Sequence, residues 1–167
     1  AGWVNLLGVP FDARGVVLTQ AFEPLGGVFQ EIWKWVPVKV EGIPIHQRVR
    51  KLHVLHATCP TSAVREGTTV GSYVWHFADG KTQEQPIVYG RDLRDWWMPR
   101  TESPADLERG HLAWIGDTPL ALKSGARIRL YLTTYLNPRP EVEVSHLDFV
   151  SKVTQAAPFL VAMTVEP

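Results

Sequence analysis

Apolar residues recur in this chain mainly at every second position, in runs closed off by Gly, Pro, Asn or Asp. Period two is the repeat of a β-strand with one face buried. The runs predict strands over 14–20, 35–40, 49–56, 70–77, 82–89, 111–115, 126–136, 142–150 and 159–166. Between Phe77 and Lys81 lies Ala78-Asp79-Gly80, whose Asp-Gly pair tolerates positive φ, so the flanking strands are expected to pair as a hairpin. The strand from Ala126 divides into Ile128, Leu130 and Leu132 on one face and Arg127, Arg129, Tyr131, Thr133 and Tyr135 on the other. The first face reads as core; the second reads as polar, aromatic and partly wet. The last strand sets Phe159, Val161, Met163 and Val165 on one side, and its near-continuous apolarity suits a place inside a sheet. Many short strands, little helix and a long connection from Arg91 to Gly110 predict an all-β fold. The expected form is an antiparallel two-sheet β-sandwich of jelly-roll topology, one domain over residues 1–167.

A chain of 167 residues can bury a self-sufficient core. Its 17 Lys+Arg balance 17 Asp+Glu, so it offers no broad positive field for a phosphate backbone, and nucleic acid is not an expected partner. Cys59 is the only cysteine, which excludes a disulfide framework, a Cys-rich zinc site and a redox pair within the chain. No apolar run approaches the 18 or more residues of a membrane span, and Ala1-Gly2-Trp3 does not begin a secretory signal. A soluble chain with no membrane partner is expected. GxSxG elbow, P-loop and dinucleotide fingerprint are all missing from the sequence, so nucleophilic hydrolysis, nucleotide chemistry and hydride transfer lack a motif.

Seven Trp, four Tyr and six Phe leave aromatic residues in and beside polar loops. Trp33 and Trp35 are two apart and share a face if extended. Trp96-Trp97 closes the run Arg91-Asp92-Leu93-Arg94-Asp95, which sets two indoles beside guanidinium and carboxylate groups. A pyranose has an apolar C–H face that stacks on an indole and a hydroxyl rim that takes paired hydrogen bonds from Arg or Asp. The bland alternative is structural: Arg and Asp satisfy a long crossover loop, and the indoles plug one end of the fold. Among the histidines, His53 and His56 are three apart on one strand and face opposite sides. His56 and His76 become neighbours if their strands pair, with Asp79 within reach, and these are the weak metal candidates. The HxH of a metal-binding cupin does not occur. Asp92 with Asp95, and Glu141 with Glu143, are too close in sequence to suggest an acid and base flanking a scissile bond, so no catalytic residue is assigned.

Several segments together carry a resemblance. Gly8-Val9-Pro10-Phe11-Asp12-Ala13-Arg14-Gly15-Val16-Val17, Glu41-Gly42-Ile43-Pro44-Ile45 and Leu52-His53-Val54-Leu55-His56-Ala57-Thr58 are three. Val70-Gly71-Ser72-Tyr73-Val74-Trp75-His76-Phe77-Ala78-Asp79-Gly80, Pro86-Ile87-Val88-Tyr89-Gly90-Arg91-Asp92-Leu93-Arg94-Asp95-Trp96-Trp97 and Asn137-Pro138-Arg139-Pro140 complete the set. The chain resembles, over nearly its whole length, an accessory β-sandwich module of multidomain exported bacterial proteins, often beside glycoside hydrolases. It is similar to the galactose-binding-like jelly rolls used as carbohydrate-binding modules. The resemblance implies a non-catalytic domain, extracellular or periplasmic, that binds carbohydrate and sits beside a catalytic domain of a larger protein. It carries over no site residue.

The expected sugar contacts are therefore read from the residues: stacking by Trp33, Trp35, Trp96 and Trp97, with polar contacts from Arg94, Asp95, Arg129 and Tyr131. No cofactor is expected, a structural Ca²⁺ in loop carboxylates being left open. Two rivals stand beside this reading. One is an interaction domain that packs on a partner, which a flat apolar patch would favour; a groove joining aromatics to unpaired polar groups would favour the sugar reading. The other is a small metal-dependent or acid–base enzyme acting on polysaccharide.

Overall fold

The computed structural model of the chain describes residues 2–21, 35–59 and 64–167. Strand dominates these residues, and the one helix among them, α1, spans only Pro119–Lys123. The strands are β1 (Gly2–Leu6), β2 (Val9–Ala13), β3 (Val17–Leu18), β4 (Lys39–Arg48), β5 (Lys51–Cys59) and β6 (Thr69–Phe77). They continue with β7 (Thr82–Val88), β8 (Trp97–Pro99), β9 (Gly110–Gly116), β10 (Ala126–Leu136), β11 (Glu143–Ser151) and β12 (Ala157–Glu166).

All named strands pair antiparallel. In the first sheet the order is β3-β12-β5-β10, and β8 and β9 share the outer edge of β10. The second sheet runs β4-β11-β6-β7, and β1 with β2 forms a separate hairpin. The Asp-Gly hairpin forms as the sequence predicts: Gly80 takes φ 81°, and the Phe77 N–H donates to the Lys81 carbonyl at 2.9 Å.

One buried cluster draws on both sheets. Leu52 and Val54 of β5, Tyr131 and Tyr135 of β10 and Leu160 of β12 meet Tyr73, Trp75 and Phe77 of β6 and Leu147 and Phe149 of β11. The opposite face of the first sheet carries a second cluster, in which Phe11 of β2 sits on Leu55, Leu132 and Ala162. The β1–β2 hairpin therefore roofs one end of that face.

Some sequence expectations change, and one hairpin goes unpredicted. The predicted strand 14–20 shortens to β3, and 35–40 gives way to β4, which starts at Lys39 and runs through Gly42 and Pro44. Pro44 is tolerated because, among the described residues, β4 is an edge strand paired only with β11. The β1–β2 hairpin was hidden by Leu7-Gly8, which punctuates the sequence but turns with both residues at positive φ, 53° and 85°. On β10 the two faces are reversed: Tyr131, Thr133 and Tyr135 point into the shared core, while Leu130 and Leu132 face outward to the hairpin side. Tyrosine rings supply as much apolar area as leucines, so alternation defines two faces without saying which is inner.

Candidate functional site

The crossover from β7 to β8 carries the run Arg91 to Trp97, and its geometry follows from one buried carboxylate. Asp92 is fully buried. Its Oδ2 accepts the Val88 N–H at 2.7 Å and Nη2 of Arg109 at 2.6 Å, and its Oδ1 accepts Arg109 Nε. A bidentate guanidinium on a carboxylate with no solvent access is the arrangement that makes burying the charge tolerable. The Asp92 carbonyl in turn accepts the Thr133 hydroxyl at 2.7 Å. Because that hydroxyl donates there, it accepts from His56 Nε2 at 2.9 Å, leaving His56 Nδ1 to accept from Tyr73 at 3.3 Å. Burial holds the His56 imidazole down to about 3, against an opposing pull from the Asp92 backbone. His56 is thus a neutral interior residue.

Downstream the chain bridges onto the end of β5. Thr58 N–H donates to the Arg94 carbonyl at 3.0 Å and the Trp96 N–H donates to the Thr58 carbonyl at 2.9 Å. This fixes Trp96, whose ring stands edge-on to Phe159 with centroids 5.9 Å apart. Trp97, 6.2 Å from Trp96 between centroids, begins β8.

Trp96 forms one side of a cleft of about 400 Å³ on the outer face of the first sheet. Ile128, Leu130, Phe159, Val161 and Leu18 line it, and Trp114 of β9 also faces it. Val16 and Cys59 complete the lining. Trp114 is 41% exposed. Its ring lies across Gly116, where an added Cβ would come within 2.1 Å of ring carbons; the glycine leaves room for the indole. Burial pushes the Cys59 thiol up to about 12, so it is a wall residue rather than a nucleophile.

The polar residues beside the cleft are largely paired with one another. Arg94 bonds Glu66 at 2.7 Å. Arg129 donates to the Asp95 carbonyl at 2.7 Å and pairs with Glu102. Asp95 differs: its Oδ1 accepts the Trp97 N–H at 2.8 Å, and burial pushes its carboxyl up to about 6 despite that bond and the nearby Arg129.

Of the residues singled out in the sequence, Trp96, Trp97, Arg94 and Asp95 come together here. Arg129 and Tyr131, expected on a wet face, are 3% and 1% exposed and stand behind the loop and in the core. Trp35 is 86% exposed; its neighbour Val36 packs on the small cluster of Ala21 and Ala157, as the cleft residues Leu18 and Cys59 also do. Trp33 lies outside the described residues. The sequence reading missed Trp114, which only the pairing of β9 with β10 brings opposite Leu130.

The expected approach of His56 to His76 does not occur. His56 lies on β5 in the first sheet and His76 on β6 in the second, where His146 is its cross-strand partner. Asp79 instead holds Arg139 at 2.7 Å, a pairing that, with the Arg139 hydrogen bond as largest cause, keeps the Asp79 carboxyl down to about 2.

Comparison with protein-family models, with curated proteins and with solved structures finds no match to this chain.

Proposed function

We propose that this chain is a non-catalytic carbohydrate-binding domain that reads a saccharide in the cleft between Trp96 and Trp114. The observation that carries the reading is the pair of indoles at an open, concave sheet face, with Asp95 next to one of them in the chain. A pyranose C–H face stacks on an indole, and a half-buried carboxylate with a spare oxygen accepts from ring hydroxyls. Few groups are ordered on binding, so affinity is modest, on the order of −4 to −8 kcal/mol, or millimolar to micromolar. With this goes the proposal that the two sheets form a jelly-roll sandwich. The pairs β3 with β12, β4 with β11, β5 with β10 and β6 with β7 support it, being those of one long hairpin rolled over on itself. An accessory place beside a catalytic domain of an exported protein belongs to the same reading.

A second reading has its own support. The cleft lining is apolar throughout, and Arg94 and Arg129 are engaged by Glu66 and Glu102, so a partner domain could dock there with an apolar side chain. Titration of intrinsic Trp fluorescence against a broad glycan panel separates the two. The sugar reading expects saturable quenching or enhancement with at least one glycan, weakened by Trp96→Ala or Trp114→Ala. A panel without response, or binding that survives both substitutions in folded protein, leaves only the docking domain.

A further inference from the structure

We propose that His76, His146 and Asp148 form a binding site for a divalent transition-metal ion, with Zn²⁺ the ion their donor set suits. The site lies on the outer face of the second sheet and is independent of the cleft. Strand alternation creates it: Leu147 and Phe149 of β11 point into the core, so His146 and Asp148 project from the other side. The antiparallel register places His76 of β6 directly opposite His146. The two imidazoles stack with centroids 4.1 Å apart and planes 14° from parallel, and His76 Nε2 lies 2.7 Å from Asp148 Oδ2. One ligand atom from each residue falls within 4.8 Å of the others. Donors around a tetrahedral ion at about 2.1 Å stand roughly 3.4 Å apart, so swinging the half-exposed rings closes the set without moving the strands.

The surrounding bonds aim the donors. Asp148 Oδ1 accepts the Gly42 N–H at 2.8 Å, which leaves Oδ2 for an ion. That N–H is free of the ladder because β4 and β11 slip register between Leu147 and Phe149, with Gly42 at φ 71°, the conformation in which only glycine is unstrained. Ser145 Oγ lies 3.0 Å from His146 Nδ1, so Nε2 is the nitrogen available for coordination. Supporting hydrogen bonds of this kind commonly orient metal ligands. Two nitrogens and one carboxylate favour Zn²⁺ over Ca²⁺, which takes oxygen donors, and three protein ligands leave a position for water or a ligand.

The test is calorimetric titration of the full chain, freed of metal by chelator and dialysis, with Zn²⁺, and with Co²⁺ read by its visible absorption. One ion per chain is expected, with d–d bands of a low-coordinate site, and His146→Ala and Asp148→Asn should each weaken binding tenfold or more. Far-UV circular dichroism checks that both variants stay folded, as residues on an outer face should. No saturable Zn²⁺ binding in the wild type, or one-to-one binding that both variants retain, overturns the proposal.

Discussion

The outer face of the first sheet is apolar at both ends and roofed at one. Leu55, Leu132 and Ala162 lie beneath Phe11 of the hairpin, whereas Ile128, Leu130, Phe159 and Val161 line an open cleft flanked by two indoles. The strands are the same, so the difference lies in what is laid over them. Exposed apolar area costs about 25 cal/mol per Å², and a hairpin of two five-residue strands suffices to remove it at the roofed end. Among the described residues the equivalent surface at the other end is left open and bordered by Trp rather than Lys or Glu, and this is the feature on which the proposed binding reading rests.

The largest expected effect comes from the anchor of the open end. Asp92→Asn strands Arg109 against a buried site and should cost about 3 to 5 kcal/mol, read as a lower urea midpoint. Because the same loop carries Trp96, the variant should also lose glycan binding at temperatures where it is still folded. A midpoint unchanged from wild type would mean that the corner does not hold the cleft. Next comes the roof: Phe11→Ala removes a fully buried ring and should cost about 3 kcal/mol while leaving cleft binding intact. If it abolished binding, the two ends would be one cooperative surface.

That contrast also explains what the sequence could and could not disclose. Period-two patterning located β5, β6, β7, β10, β11 and β12 to within a few residues, since each packs a regular face on the shared core. It did not tell inner from outer where both faces of a strand are covered, and it missed a strand with one free edge. Tyr131 and Tyr135 looked wet because their hydroxyls are polar, yet their rings fill the interior. Pro44 and Gly42 looked like loop because an edge strand tolerates residues that a central one does not. The corner from Arg91 to Trp97 was recognisable as special, but local sequence does not show that Asp92 finds Arg109, 17 positions on. Nor does it show that His76 finds His146 across a ladder. Long-range pairings set both sites.

A smaller effect tests the polar group at the open end. The folded Asp95 takes up its proton near 6 and the unfolded one at its ordinary 3.8. The folded chain therefore holds more proton between those values, and this group adds stability as pH falls through them. His56 acts oppositely: folded it stays neutral down to about 3, unfolded it charges at 6.5, so its contribution is lost as pH falls from 6.5 towards 3. Asp95→Asn should accordingly make stability decline more steeply than wild type between pH 6 and 4 in denaturation midpoints. An unchanged slope would place the Asp95 carboxylate in water rather than beneath the cleft rim, and a shallower one would make it a stabilised ion.

The smallest effect on stability is the sharpest on the comparison. Trp114 is partly exposed and outside both buried clusters of the sheet, so Trp114→Ala should change the unfolding free energy by about 1 kcal/mol or less while weakening glycan binding about tenfold, roughly 1.4 kcal/mol. Gly116→Ala refines the point without deleting the indole. Its methyl group occupies space the ring now fills, and since the ring's outer edge is free to move, the ring swings away rather than the strand breaking. Binding should fall in that variant as it does in Trp114→Ala, with the melting curve nearly unmoved. Loss of binding in Trp114→Ala but not in Gly116→Ala would mean that the ring supplies apolar area alone, as a docking partner requires. Equal losses would mean that its orientation matters, as it does for a ring stacked on a sugar face.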